Sequence, residues 1–97
     1  MKHFLILIHY RIPAEQMGEV VQEHRAYLQA GYQQGMLLMS GPRSPRTGGV
    51  VVARAPALED VQAFFQNDPY QLHGAADYEF IEFIPLFHQD FLKEWVA

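Results

Sequence analysis

A histidine at position 24 and an aspartate at position 68 are the two side chains whose types and placement could form an acid–base centre. A carboxylate hydrogen-bonded to an imidazole fixes which ring nitrogen carries the proton, and it makes the ring a usable general base near neutral pH. His24 lies between Val21 and Leu28 at helical spacing, so its ring is expected to face inward. The periodicity of the second predicted helix, continued to Asp68, places that carboxylate on the inward side as well. The pair therefore predicts proton-transfer chemistry.

Each of these two residues also has a purely structural interpretation. A core histidine is commonly satisfied by a backbone carbonyl, since buried polar groups normally find partners. Asp68 precedes Pro69, and an aspartate before a proline is a frequent helix start, in which the carboxylate would cap the segment "PYQLHG". Spacing along the chain does not settle whether residue 24 reaches residue 68, so both interpretations stay open at this point.

Ser40 could complete a serine–histidine–aspartate set, because such sets are recognised by geometry and not by chain order. No nucleophile-elbow pattern surrounds it, and it stands directly before Gly41 and Pro42. A lining or hydrogen-bonding role is therefore favoured over attack on a substrate.

Arginines and tyrosines mark the expected rim of a cavity. Arg43 and Arg46 bracket a turn in an otherwise acidic protein, and they could attract a carboxylate or a phenolate to the cavity mouth. Two solvated loop arginines are the plainer alternative. Tyr10, which ends the first strand, and Tyr70 could line the cavity or serve as packing. The candidate substrate-binding residues are Ser40, Pro42, Arg43, Tyr10 and Tyr70.

The remaining histidines do not predict a metal site. His3 and His9 share one face of the first strand, but at about 3.3 Å per residue they are about 20 Å apart and cannot share an ion. His73 and His88 lie in or beside turns, without ligand spacing around them. Residues 48–49 lack the length and the lysine of a phosphate-binding loop. Neither a metal nor a cofactor is expected.

The elements that must position these residues alternate between strands and helices over one predicted domain, residues 1–97. Residues 3–10 form an apolar run that predicts a buried strand, and the first helix is expected to open at Pro13. Strands in "GMLLMSGP" and "GGVVVARA" flank the loop at residues 41–49. A helix in "ALEDVQAFFQN", a strand in "DYEFIEFIPLF" and a tail helix over residues 88–97 complete the chain.

This βαββαβ order predicts an α+β, ferredoxin-like fold, with two helices on one face of a four-stranded antiparallel sheet. In the last strand Tyr78, Phe80 and Ile84 point to one side, while Ile81 and Phe83 point to the other. Because the helices cover only one face, the other is expected to pack against the sheet of an identical subunit. The tail residues expected to seal this homodimer are Phe91, Leu92 and Trp95.

Composition excludes several classes of function. Eleven acidic against seven basic side chains leave no basic stripe for nucleic-acid phosphates. The absence of cysteine excludes disulfides, thiolate nucleophiles and cysteine-ligated metals, and the cytoplasm is the expected location. The apolar run in "MKHFLILIHY" is too short to span a bilayer, so no membrane partner is expected.

The segments "EHRAYL", "GMLLMSGP" and "ALEDVQAFFQNDPY", followed by Gly74, resemble in order and spacing the YciI-like (YCII-related) family over nearly the whole chain. The resemblance implies a ferredoxin-like fold, a dimeric α/β barrel and an active site centred on a histidine and an aspartate. Those roles would fall to His24 and Asp68. The loop "RSPRTGG" and the C-terminal tail depart from the family pattern, and both touch the expected rim of the pocket.

Residue types and resemblance together predict a small enzyme with cofactor-independent acid–base chemistry, such as isomerisation, elimination or hydrolysis of a small, aromatic or enolisable metabolite. The alternative is a non-enzymatic dimeric module that binds a small molecule or regulates a partner, with His24 and Asp68 as a structural hydrogen bond. A third alternative follows other dimeric α/β barrels that bind haem, which would need an axial histidine in an open cavity.

Overall fold

The computed structural model describes residues 1–97, and it shows a four-stranded antiparallel sheet with two long helices against one face. The strands are β1 (Lys2–Tyr10), β2 (Leu37–Pro42), β3 (Gly48–Ala55) and β4 (Ala76–Phe83). The helices are α1 (Val20–Gln33), α2 (Leu58–Gln66), α3 (Pro69–Leu72) and α4 (Lys93–Val96). The strand order across the sheet is β2-β3-β1-β4, which confirms the predicted ferredoxin-like arrangement.

β1 lies inside the sheet and pairs with both β3 and β4, as its apolar sequence predicts. Alternation along the strand buries Phe4, Ile6 and Ile8 beneath the helices. At the end of the strand, Tyr10 pairs with Ala76, the first residue of β4. The register therefore places Tyr10 beside the segment in which α3 leads into β4.

α1 packs closely against the sheet because a glycine faces the start of β2. A Cβ atom at Gly31 would lie 2.8 Å from the Leu37 side chain and 2.9 Å from the ring of Phe64. Leu28, one turn earlier, is buried in the same core. This close approach fixes the height of α1 above the sheet and so the depth of the residues on its inner face.

The first helix begins later than its sequence predicts. Pro13 precedes a short 3-10 turn, Ala14–Gln16, and the chain then reverses at Gly18, whose φ is 60°. A residue in this left-handed region breaks the helical hydrogen-bond pattern, so α1 starts only at Val20. Met17 is buried in the core but lies outside the helix.

The C-terminal segment also differs from its prediction. β4 ends at Phe83, so Ile84 does not share a face with Tyr78 and is 84 % exposed. The tail contains a 3-10 turn, Asp90–Leu92, and the single turn α4 in place of a helix over residues 88–97. The radius of gyration is 13.5 Å, whereas about 12.5 Å is expected for a chain of this length. The molecule is elongated, with principal extents of 39 × 26 × 20 Å. No helix is long and apolar enough to cross a membrane.

Candidate active site

His24 and Asp68 are in direct contact. Nδ1 of His24 lies 2.7 Å from Oδ1 and 2.9 Å from Oδ2 of the Asp68 carboxylate. The aspartate is fully buried, and 8 % of the histidine is exposed. α1 presents the histidine from its inner face, and the short α3 begins directly after the aspartate. The structure therefore contains the buried pair that the sequence left open.

Asp68 is at the same time the cap of α3. Its Oδ1 accepts a hydrogen bond from the backbone N–H of Tyr70 at 3.2 Å, and Pro69 occupies the first turn. The helix cap and the contact with His24 thus coexist, because one carboxylate has enough acceptor sites for both sets of hydrogen bonds.

A third donor reaches the carboxylate from the sheet. The hydroxyl of Tyr78, on β4, donates to Oδ2 of Asp68 at 2.6 Å. Burial and then the bond to Asp68 raise the pKa of Tyr78 well above its usual value of 10.0, so the hydroxyl stays a donor at neutral pH. Alternation along the sequence of the last strand places Tyr78 on one of its faces but does not assign it to the site. Its position ten residues after Asp68, facing the helices, was the available signal.

The Asp68 carboxylate determines which nitrogen of the His24 imidazole carries the proton. An ionised carboxylate only accepts hydrogen bonds, so a neutral His24 carries its proton on Nδ1 and leaves Nε2 as an acceptor. Nε2 of His24 makes no hydrogen bond to the protein. The only enclosed side-chain polar atom without a partner is Nε1 of Trp95, so Nε2 of His24 is not enclosed. Solvent therefore reaches Nε2. Tautomer and exposure together suit this nitrogen to take a proton from a bound molecule.

A cavity of about 260 Å³ lies in front of the ring, between α1 and the sheet. Its apolar part is formed by Ile8, Leu28 and Val51, and its polar part includes Tyr10 and Tyr70. This volume lies just below the range of about 300–1,000 Å³ that is typical of small-molecule sites, so a compact ligand would fit. No group of three or more His, Asp or Glu side chains is placed to hold a metal ion.

Tyr70 holds the imidazole in position from the side. The two rings are stacked with centroids 4.0 Å apart and an interplanar angle of 15°. The Tyr70 hydroxyl lies 3.3 Å from the hydroxyl of Tyr10. Burial raises the pKa of Tyr70, so this phenol also remains protonated at neutral pH. Both tyrosines of the predicted rim are in the lining of the cavity.

Ser40 and Pro42 line the cavity from β2. The Ser40 hydroxyl is 2.6 Å from the hydroxyl of Tyr32 on α1, and it makes no hydrogen bond to His24. Ser40 therefore fits the lining role favoured from the sequence, because a serine nucleophile would need a hydrogen bond to its base.

The two loop arginines lie in different places. Arg43 is absent from the cavity lining. Its Nη1 lies 3.3 Å from Nδ1 of His9. His9 faces the side of β1 opposite to the cavity, because side chains alternate along a strand and its neighbours line the cavity. Arg46 does line the cavity, next to Tyr10 and Tyr70. Arg25 of α1 is a further lining residue that the sequence analysis missed. Their positions depend on the path of an irregular loop and on helix placement, which residue spacing does not encode.

With this geometry in view, residues 2–84 match the family profile described as the YCII-related domain. The chain belongs to the YCII-related domain family. The matched range contains every side chain of the pair and of the cavity, and it ends before the tail that carries α4. No curated protein sequence matches the chain.

Two solved structures share the fold of this YCII-related chain. One is the 5-chloro-2-hydroxyhydroquinone dehydrochlorinase of Burkholderia phenoliruptrix AC1100, solved in complex with 2,5-dihydroxybenzoquinone. It has 22% sequence identity and a TM-score of 0.67, over 84% of this chain and 90% of that one. The other is muconolactone isomerase, with 15% identity and a TM-score of 0.71 over 91% of this chain and 97% of that one. At these identities the likeness establishes the fold.

Proposed function

We propose that the protein is a small cytoplasmic enzyme that transfers protons on a compact organic substrate, with His24 as general base and acid and Asp68 as its positioning partner. The observation that carries this proposal is the buried pair itself. Asp68 fixes the histidine through Nδ1 at 2.7 Å, while Nε2 is left free at a cavity wall. A general base needs this combination of a fixed tautomer and an accessible lone pair.

The chemistry follows from the single free nitrogen. Nε2 removes a proton from a carbon next to a carbonyl group, so the C–H bond breaks and its electron pair moves onto the carbonyl oxygen as an enolate. In an isomerisation the Nε2–H group returns the proton to another atom of the substrate. In an elimination the electron pair instead forms a C=C bond and expels a leaving group, and Nε2 passes its proton to that group or to solvent. The imidazolium formed in between is stabilised by the Asp68 carboxylate.

The developing enolate oxygen needs donors that are already oriented. Tyr10 and Tyr70 present hydroxyl groups at the cavity wall, and the raised pKa of Tyr70 keeps its proton in place. Preorganised donors of this kind stabilise charge that develops in a transition state. The family membership and the two structural neighbours support the class of reaction, since dehydrochlorination and isomerisation both need a proton to be removed.

A deuterium-exchange screen tests this function. Small enolisable lactones, quinones and hydroxylated acids are incubated with the protein in heavy water, and deuterium uptake is followed by mass spectrometry. We expect His24→Gln to lower exchange or turnover by about 100- to 10,000-fold for any compound that reacts. His73→Gln removes an exposed histidine paired with Glu23 and serves as the matched control. Full activity in His24→Gln would contradict the proposal and favour a binding module.

We also propose that the protein is a homodimer whose sheets face each other. The sheet face opposite α1 carries Leu5, Leu7 and Val52, which are only partly buried in the single chain. Trp95 covers only one end of this face, where its carbonyl oxygen accepts hydrogen bonds from His3 and Arg54. A partly exposed apolar sheet face is typical of a surface that packs against a second copy.

Sedimentation tests the dimer. Ile81, on the open face, and Ile12, in the loop after β1, are both 38% exposed and form a matched pair. We expect the wild type and Ile12→Glu to have twice the chain mass of 11.2 kDa, and Ile81→Glu to sediment as a monomer. A monomeric wild type, or equal dissociation of both variants, would contradict the dimer.

A further inference from the structure

The cavity beside His24 is lined by cations and hydroxyl groups and by no carboxylate. Arg25 and Arg46 both contribute to its wall. Neither is in an ion pair, whereas Lys2 and Arg11 each lie within 4.0 Å of a carboxylate on β4. The chain as a whole has a formal net charge of −4. Two unpaired arginines at one cavity therefore concentrate positive charge against the overall balance, and such a site attracts anions.

The hydroxyl groups of the cavity add hydrogen-bond donors beside Arg46. Tyr10 and Tyr70 have their oxygens 3.3 Å apart, so a hydrogen bond between them uses only one of their two protons. The second proton is available to a bound acceptor. Arg46 lines the cavity together with both tyrosines, which places its guanidinium near this pair. Guanidinium and phenol groups at one point form a set of donors that suits an anionic oxygen.

The one carboxylate near the cavity does not oppose such a ligand at close range. Asp68 is fully buried behind the imidazole, and its oxygens accept hydrogen bonds from three protein donors. With neutral His24, the two arginines and Asp68 leave one net positive charge around the cavity. A hard metal cation would find no oxygen anion in the lining.

We propose that the cavity binds a small organic acid as its carboxylate, with the acidic group held by Arg46. The free proton of the Tyr10–Tyr70 pair then remains available to the enolate oxygen. The apolar part of the ligand then lies against Ile8 and the neighbouring apolar wall, with the reacting carbon towards Nε2 of His24. This proposal names a ligand class for the function proposed above, and the position of the reacting carbon rests on that function. The cavity volume of about 260 Å³ limits it to a compact molecule.

The two loop arginines provide a matched test. Both are exposed and both lie between β2 and β3, but only Arg46 lines the cavity. Benzoate and crotonate are titrated into the wild type, Arg46→Gln and Arg43→Gln, with the His24 ring signals followed by NMR. Their amides, benzamide and crotonamide, are the uncharged probes. Thermal melting of each variant checks that the fold is retained.

We expect at least one of the two carboxylates to shift the His24 signals. The corresponding amide should bind at least about tenfold more weakly. Arg46→Gln weakens that carboxylate by about tenfold, because a charge-assisted hydrogen bond is lost. Arg43→Gln weakens it by no more than about twofold, since an exposed charge outside the cavity lining acts on the ligand only at long range.

Three results would overturn the carboxylate site: equal weakening by both arginine variants, amides that bind as well as the acids, or no effect of either acid on His24. The readout needs no turnover, so it is independent of the acid–base function. Loss of charge selectivity with His24-dependent turnover intact would remove only the ligand class. Selective carboxylate binding, combined with turnover unaffected by His24→Gln, would remove only the catalytic role.

Discussion

Two substitutions at Asp68 separate the charge of the carboxylate from its acceptor sites. Asparagine has the same shape and keeps one oxygen, which can replace Oδ1 and accept from His24 and from the N–H of Tyr70. Its amide nitrogen then faces the Tyr78 hydroxyl, which can rotate to accept. Alanine removes every acceptor and leaves all three donors beside a site that has no exposure.

The expected loss of stability follows from counting these bonds. A hydrogen bond to a charged group contributes about 1.5–3 kcal/mol, and a neutral one about 0.5–1.5 kcal/mol. Asp68→Asn therefore loses about 1 kcal/mol per bond, and the removal of a buried charge offsets part of that sum. We expect a net loss of about 1–2 kcal/mol. Asp68→Ala leaves three donors unpaired, at about 1–3 kcal/mol each, so at least about 3 kcal/mol is expected.

Urea unfolding at neutral pH and fixed protein concentration measures both values. Asp60 is the control, because its exposed carboxylate accepts the N–H of Ala57 at the start of α2 without a histidine nearby. Asp60→Ala should cost about 1 kcal/mol, because it removes one exposed hydrogen bond to the N-cap N–H of α2. If Asp68→Ala costs no more than Asp60→Ala, the three-donor account of the buried carboxylate is refuted.

Three further predictions concern the scaffold. Gly31→Ala should destabilise the fold by about 1–3 kcal/mol in urea unfolding. The added methyl would clash with Leu37, and the cost of this clash exceeds the gain in helix propensity from glycine to alanine. Burial raises the pKa of Tyr78 above its usual 10.0, so the unfolded chain releases this proton first. The contribution of Tyr78 to stability should be constant below about pH 10 and fall above it, so unfolding curves of Tyr78→Phe should show a smaller fall above that pH. Trp95→Ala should lose about 1 kcal/mol through its contact with Arg54, whereas Trp95→Phe removes a buried unpaired N–H and should unfold no earlier than the wild type. A clear loss with phenylalanine would show that this N–H has a partner in the assembled protein.

Element order and the buried core could be read from the sequence because hydrophobic periodicity dominates both. The continuous apolar run of β1 predicted an inner strand, and the structure pairs it on both sides. Element ends were less predictable, since single backbone conformations decide them. The positive φ of Gly18 delays the start of α1, although Pro13 and the first charged turn fit a helix equally well.

The site was only partly predictable. Inward faces could be assigned to His24 and Asp68 from periodicity, but their contact depends on how α1 and α3 are placed over the sheet. Tyr78 was missed as a partner because a tyrosine in a strand is indistinguishable from packing without the third dimension. Arg43 and Arg46 lie in an irregular loop without periodicity, so nothing in their spacing decides which of them turns towards the cavity.

The central claim is that Asp68 fixes His24 with its free nitrogen at the cavity. The most direct measurement is the ¹⁵N spectrum of the histidine rings in the wild type and in Asp68→Asn, recorded across neutral pH. In the wild type at high pH we expect a proton on Nδ1 and an unprotonated Nε2, whose signal responds to pH because solvent reaches it. In Asp68→Asn the remaining oxygen still accepts from Nδ1, so the tautomer should be kept, whereas the pH response should change because the negative charge beside the ring is lost. A proton on Nε2 in the wild type, or a His24 ring that is indifferent to pH and to the change at residue 68, would contradict the account.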